Sequence, residues 1–281
     1  MVKFPGKQVP SLGLGTWRMG ESAARRKSEV AAVRAAIEMG WRVIDTAEMY
    51  GEGGAETIVG EAIAGALSAG SVTRDELYVV SKVYPHNAGA RAAVAACERS
   101  LARLGLDHLD CYLLHWRGDI PLAETVDAFE RLREHGRIGD WGVSNFDVAD
   151  MEELFSVAGG ERCATNQVYY SLSARGPGFD LVPWLQQRGV VTMAYSPIDQ
   201  GALAANKALA AIAERRGLTP AQLALAWLVG QPEVLAIPKA TSEAHLRENL
   251  AACNLVLDDA ERAALDRAFP PPRRKTPLRM I

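Results

Sequence analysis

The chain has 281 residues, 48% of them hydrophobic, enough to bury one substantial core and ordinary for a single domain spanning residues 1–281. A formal net charge of −3 with acids and bases interspersed creates no field that would recruit nucleic acid or a membrane surface, so small molecules are the expected partners. No signal-peptide core opens the chain, no stretch approaches the roughly 18 apolar residues of a membrane span, and Cys97, Cys111, Cys163 and Cys253 form no C-x-x-C pair. A cytoplasmic, monomeric protein with reduced thiols is the expectation.

In chain order, residues 2–9 read as a small hairpin turning at Gly6. Short apolar, β-branched runs then alternate with longer stretches of helical period. Strand 12–17 precedes helix 25–39, strand 42–46 precedes helix 56–67, and strand 77–83 precedes helix 90–104. Strand 108–115 leads to helix 122–134, strand 139–144 to helix 149–155, and strand 164–169 to helix 179–188. Strand 190–196 is followed by helices 205–216 and 220–229, and strand 234–238 by helix 245–252. Gly40, Gly136 and Gly189 suit left-handed helix ends, and Thr219 before Pro220 suits a helix start. The tail 269–281, rich in Pro, Arg and Lys, reads as a loop over a site or a loose end.

Regular alternation requires parallel strands, because parallel neighbours need a crossover and the helix supplies it. Eight such units fit a closed α/β architecture, the (β/α)8 TIM barrel, with the hairpin at its bottom and the short C-terminal tail beyond its last helix. Polar residues end several strands: Asp45, Lys82, His115, Ser144 with Asn145, Gln167 and Lys239. In a barrel those ends converge on one mouth, where active sites are built.

Gly13-Leu14-Gly15 does not extend to a Rossmann fingerprint, since Arg18 stands where the third glycine belongs. No phosphate loop is present. The five histidines lack metal-ligand spacing, so no metal is expected.

Several segments in order resemble one family. They are Leu12-Gly13-Leu14-Gly15-Thr16-Trp17, Ile44-Asp45-Thr46-Ala47-Glu48-Met49-Tyr50-Gly51, Val80-Ser81-Lys82, Leu113-Leu114-His115-Trp116 and Gly142-Val143-Ser144-Asn145-Phe146, followed by Asn166-Gln167, Ala194-Tyr195-Ser196-Pro197 and Ile237-Pro238-Lys239-Ala240. Over nearly the whole chain they resemble the aldo-keto reductases, in particular short bacterial members that act as methylglyoxal or small-aldehyde reductases. The resemblance implies NADPH-dependent reduction of small aldehydes and ketones, methylglyoxal and aromatic aldehydes among them, with NADH as an alternative cofactor.

It also places the catalytic tetrad on Asp45, Tyr50, Lys82 and His115. Singly these residue types are ordinary: an Asp after a strand usually caps a turn, and a Tyr at a strand end usually packs. As a set they suit carbonyl reduction, which leaves charge on oxygen and needs a proton donor there. Tyr50 is the donor in this reading, and the neighbouring Lys82 ammonium is expected to lower its pKa from about 10. Asp45 would hold Lys82, and His115 would orient the substrate oxygen.

For the cofactor, the resemblance implies an extended dinucleotide across the mouth. Tyr195 would stack on the nicotinamide, Ser144, Asn145 and Gln167 would bond its carboxamide, and Gly15, Thr16, Trp17 and Asp45 would lie near its ribose. Ser196 and Pro197 begin the loop over the pyrophosphate. Ile237, Pro238, Lys239, Ala240, Thr241, His245, Glu248 and Asn249 match the adenosine end, where Lys239 would meet the 2′-phosphate. His245 stands where many members carry an arginine, which weakens the argument for NADPH over NADH. The short loop after Pro197 implies faster cofactor release than in long-looped relatives. Trp17, Met49, Tyr84, His115 and Trp116 are the expected substrate wall, left fairly open by the short tail and therefore broad in specificity. Alcohol oxidation or reduction of a keto sugar would use the same residues, and a cofactor-binding sensor with little turnover is the alternative from another class. A metal-dependent barrel hydrolase has no ligand spacing to support it.

Overall fold

The computed structural model describes residues 1–281. Strands β1 (Val2–Lys3) and β2 (Gln8–Val9) pair antiparallel. Eight parallel strands follow: β3 (Gly13–Gly15), β4 (Val43–Asp45), β5 (Tyr78–Val83), β6 (Leu109–Leu114), β7 (Ile138–Ser144), β8 (Thr165–Tyr169), β9 (Val191–Tyr195) and β10 (Val234–Ile237). Each pairs with the next in sequence. The seam between last and first is closed by the Ala236 N–H donating to the Ser11 carbonyl and the Gly15 N–H donating to the Pro238 carbonyl, both at 2.9 Å. Gly15 is needed at this seam, because a Cβ there would stand 2.9 Å from the Ile237 carbonyl oxygen.

The strands are apolar on successive residues because both faces are buried, one in the barrel and one under helices. Val43, Tyr78, Val80, Cys111, Leu113, Ala164, Val191, Met193 and Leu235 fill the interior together with Val2, Phe4 and Val9 of the hairpin. The hairpin thus plugs the bottom, with the Phe4 ring 4.7 Å from that of Tyr78.

A larger cluster joins the outer strand faces to the helices. These are α1 (Arg26–Glu38), α2 (Gly54–Ser68), α3 (Ala92–Leu104), α4 (Leu122–Glu134), α5 (Val148–Ser156), α6 (Leu181–Gln187), α7 (Lys207–Ala213), α8 (Pro220–Val229), α9 (Glu243–Ala251) and α10 (Asp259–Ala268). Gly40, Gly136 and Gly189 have φ of 103°, 68° and 70°, the left-handed conformation that ends a helix without a Cβ clash. Thr219 caps α8 reciprocally with Gln222.

Helix α10 was not among the elements expected from period. Its signal is a capping box, Asp258 accepting from the Glu261 N–H at 2.8 Å and Glu261 from the Asp258 N–H at 2.9 Å. Of the two readings of the tail, the structure has the loop over the site, folded back so that Met280 and Ile281 line the cavity at the barrel mouth. No helix is long and apolar enough to cross a membrane.

Candidate active site

The strand order brings Asp45 at the end of β4, Lys82 in β5 and His115 just past β6 to one mouth, and a turn after β4 delivers Tyr50. That turn is tight: Gly51, Glu52 and Gly53 all have positive φ, at 58°, 50° and 86°. Lys82 is fully buried and Asp45 is 2% exposed. The Lys82 ammonium donates to Asp45 Oδ2 at 2.8 Å, to the Thr46 carbonyl at 2.8 Å and to the Tyr50 phenol oxygen at 3.2 Å. All three of its protons are therefore used, which is what a buried charge requires. Asp45 Oδ1 accepts a second bond, from Gln167 Nε2 at 2.7 Å.

The electrostatics correct one expectation. Burial raises the Tyr50 pKa above its ordinary value and outweighs the lowering effect of Lys82, with the Asp45 charge adding to the rise. Lys82 does not bring the phenol's titration towards neutral pH, because loss of water around the ring oxygen outweighs the ammonium's pull and Asp45 opposes it. Burial disfavours the Lys82 ammonium, but Asp45 and Tyr50 together hold its pKa above the usual lysine value. His115 is pushed well below the usual imidazole range by burial and then by the Lys82 charge. At neutral pH the mouth thus holds a protonated phenol, an ammonium and a neutral imidazole whose Nδ1 is buried without a partner.

Above this floor lies a cavity of about 390 Å³. Of the residues assigned from sequence, Gly15, Trp17, Asp45, Met49, Tyr50, His115, Trp116, Ser144, Asn145, Gln167, Tyr195, Ser196, Pro197, Ile237 and Lys239 line it. Lys82 lies beneath. Along one wall the Tyr195 hydroxyl donates to Asn145 Oδ1 at 2.9 Å, Asn145 Nδ2 donates to Ser144 Oγ at 3.1 Å, and Ser144 Oγ donates to the Gln167 carbonyl at 2.9 Å. A flat aromatic face beside this row of amide and hydroxyl groups fits a planar ring that carries a carboxamide.

Other assigned residues do not reach the cavity. Tyr84 stands behind Trp116, edge-on at 6.0 Å between ring centres, with its hydroxyl donating to Glu52. Thr16 is wholly buried and donates to the Asp45 carbonyl at 2.9 Å, so it supports the site from below. Pro238 contributes its carbonyl to the barrel seam, and Ala240 is buried. Thr241 and His245 are exposed at the start of α9, Glu248 is half-buried and Asn249 buried on that helix. Residues not assigned from sequence but lining the cavity are Arg18, Ile198, Gln200, Gly201, Met280 and Ile281. Arg18 was legible in one respect, as the residue directly after Trp17.

The aldo/keto reductase family model matches residues 11–269. Methylglyoxal reductase YeaE of Escherichia coli (strain K12) is 49% identical over 287 residues, covering 100% of this chain and 99% of its own length. A crystal structure of an aldo/keto reductase from Klebsiella pneumoniae in complex with NADP and acetate has a TM-score of 0.95 at 53% identity, covering 100% of this chain and 99% of that one. An aldo-keto reductase from the same organism in complex with NADPH has a TM-score of 0.94, also at 53% identity, covering 100% and 98%.

Proposed function

The chain belongs to the aldo/keto reductase family and is an oxidoreductase of that family, and on that premise we propose that it reduces small aldehydes and ketones with NADPH. Methylglyoxal is the first substrate to try, because a methylglyoxal reductase is among its relatives; aromatic aldehydes suit the Trp17, Met49 and Trp116 wall. The observation that carries the reading is the Lys82 ammonium shared between Asp45 and the Tyr50 phenol at the floor of the cavity.

When bound, the nicotinamide supplies a hydride to the carbonyl carbon. Tyr50 donates the matching proton to the carbonyl oxygen, and its pKa, raised by burial, keeps that proton in place until the oxygen becomes basic. The Lys82 ammonium, 3.2 Å from the phenol oxygen, stabilises the phenolate left behind, which is reprotonated from solvent. Asp45 and the Thr46 carbonyl fix the ammonium. Neutral His115 gives the carbonyl oxygen a ring N–H and orients it beside Tyr50, whose ring is edge-on to the imidazole at 5.8 Å. Tyr195, Ser144, Asn145 and Gln167 would hold the nicotinamide end, while Ser196 and Pro197 would flank the pyrophosphate. Lys239 would meet the 2′-phosphate, and Arg18, which also lines the cavity, offers a second cation. Thr241, His245, Glu248 and Asn249 would surround the adenosine, and His245 in place of an arginine narrows the preference for NADPH over NADH.

The test is consumption of NADPH and NADH by wild type and Tyr50→Phe, with methylglyoxal and 4-nitrobenzaldehyde as substrates. Turnover should fall by about 10² to 10⁴ in the variant while NADPH binding, read by fluorescence, is unchanged. Binding without turnover in wild type would favour a cofactor sensor, and no binding would overturn the reading.

A further inference from the structure

One wall of the cavity lies outside the barrel. Met280 and Ile281 of the tail line it beside Ile198, Gln200 and Gly201 of the loop after β9. One ion pair joins these two segments: the Arg279 guanidinium lies 3.2 Å from Asp199 Oδ1. The same guanidinium sits over the Tyr169 ring, 4.5 Å from its centre.

Asp199 is a hub rather than a lone surface acid. Its carboxylate also accepts from the Tyr169 hydroxyl and from Ser173 Oγ, the latter at 2.8 Å. Tyr169 in turn stands edge-on to Tyr195, 5.3 Å between ring centres. The loop it anchors is strained: Ser196, Asp199 and Gln200 have φ of 50°, 49° and 53° without being glycine. L-residues hold that conformation only where surrounding bonds over-determine it, and those to Asp199 serve that purpose. An exposed ion pair is weak by itself. Here the carboxylate is already fixed by two donors and the guanidinium stacks on a ring, so less freedom is lost when the pair forms.

We propose that the Asp199–Arg279 clasp is a specificity-determining element, pinning Met280 and Ile281 across the mouth and setting an upper limit on the size of the carbonyl substrate. The proposal rests on the reductase reading. With the tail in place, about 390 Å³ must hold the reacting end of the cofactor as well as the substrate, which leaves room for a compact carbonyl compound. The tail thus counters the open pocket and broad specificity expected from its shortness. Lys275, which pairs with Asp147 at 3.2 Å and Asp180 at 3.8 Å, holds the tail farther back and does not reach the cavity.

Arg279→Ala removes both pair and stack while leaving Asp199 its Tyr169 and Ser173 donors. The ratio of kcat/KM for 2-naphthaldehyde to that for methylglyoxal should rise about tenfold, with NADPH affinity unchanged and Arg279→Lys intermediate. Independently of turnover, hydrogen–deuterium exchange over residues 270–281 should be faster in Arg279→Ala than in wild type. An unchanged substrate ratio overturns the size limit, and unchanged exchange overturns the clasp. Absence of NADPH consumption by wild type with either aldehyde would overturn the reductase reading and the size limit together, whereas the exchange experiment still decides whether Arg279 holds the tail.

Discussion

Replacing Lys82 with Met removes an ammonium that is fully buried and donates to Asp45, Thr46 and Tyr50. Methionine fills a comparable volume, so the change isolates the charge. What remains is the Asp45 carboxylate, 2% exposed, with the Gln167 amide at 2.7 Å as its surviving side-chain donor. Breaking a buried pair from one side costs about 3–5 kcal/mol. At about 2 °C per kcal/mol for a chain of this size, Tm should fall by roughly 6–10 °C at pH 7. The pH dependence has a definite sign. In the variant, burial raises the folded-state pKa of Asp45 with no ammonium to oppose it, so the folded state binds a proton more tightly than the unfolded chain, whose Asp titrates near 3.9. The relative stability this confers is complete below the unfolded value and is lost as pH rises through the folded one. The destabilisation is therefore largest at neutral pH and shrinks towards pH 4. Thermal melts of both proteins at pH 5 and pH 7.5 read this directly, and Asp45→Asn combined with Lys82→Met should recover more than half of the loss. A penalty below about 1 kcal/mol at pH 7.5, the value of an exposed pair, would refute the reasoning, as would a penalty independent of pH or strictly additive effects in the double variant.

For reduction, kcat/KM should be level from pH 6 to pH 9. His115 is held well below 6.5 and stays neutral across this range, and Tyr50 is held above 10 and stays protonated; a limb centred between pH 7 and pH 8 would contradict both directions. Phe4→Ala, at the opposite end of the barrel, removes a fully buried ring packed on Tyr78. It should cost about 3–5 kcal/mol of stability while leaving kcat unchanged at temperatures where the variant is folded, and a loss of kcat there would mean that the plug is coupled to the mouth.

The barrel was legible in the sequence because its signals are local. Apolar runs such as Val79-Val80 and Leu113-Leu114 mark strands buried on both faces, and strict alternation with helical stretches leaves parallel pairing as the topology. The same locality explains why Asp45, Lys82 and His115 stood out: each is polar at the end of an apolar strand. Helix α10 carried a local signal too, in Asp258 and Glu261, but Leu265 is the only large apolar side chain in its length.

Other features belong to the tertiary structure alone. Gln167 donates to Asp45 across 122 positions of sequence, and no spacing encodes that bond. Tyr84, two residues after Lys82 in sequence, packs edge-on to Trp116 outside the cavity, its backbone N–H held by Glu48 at 2.7 Å. Arg279 of the tail meets the Asp199 carboxylate at 3.2 Å across 80 positions of sequence. The direction of the Tyr50 shift depends on how completely the folded chain removes water from the phenol and how closely Asp45 offsets Lys82. Local order follows from period and caps within a few residues, whereas the chemistry follows from desolvation and distances among groups on different strands, which come into being only when the barrel closes.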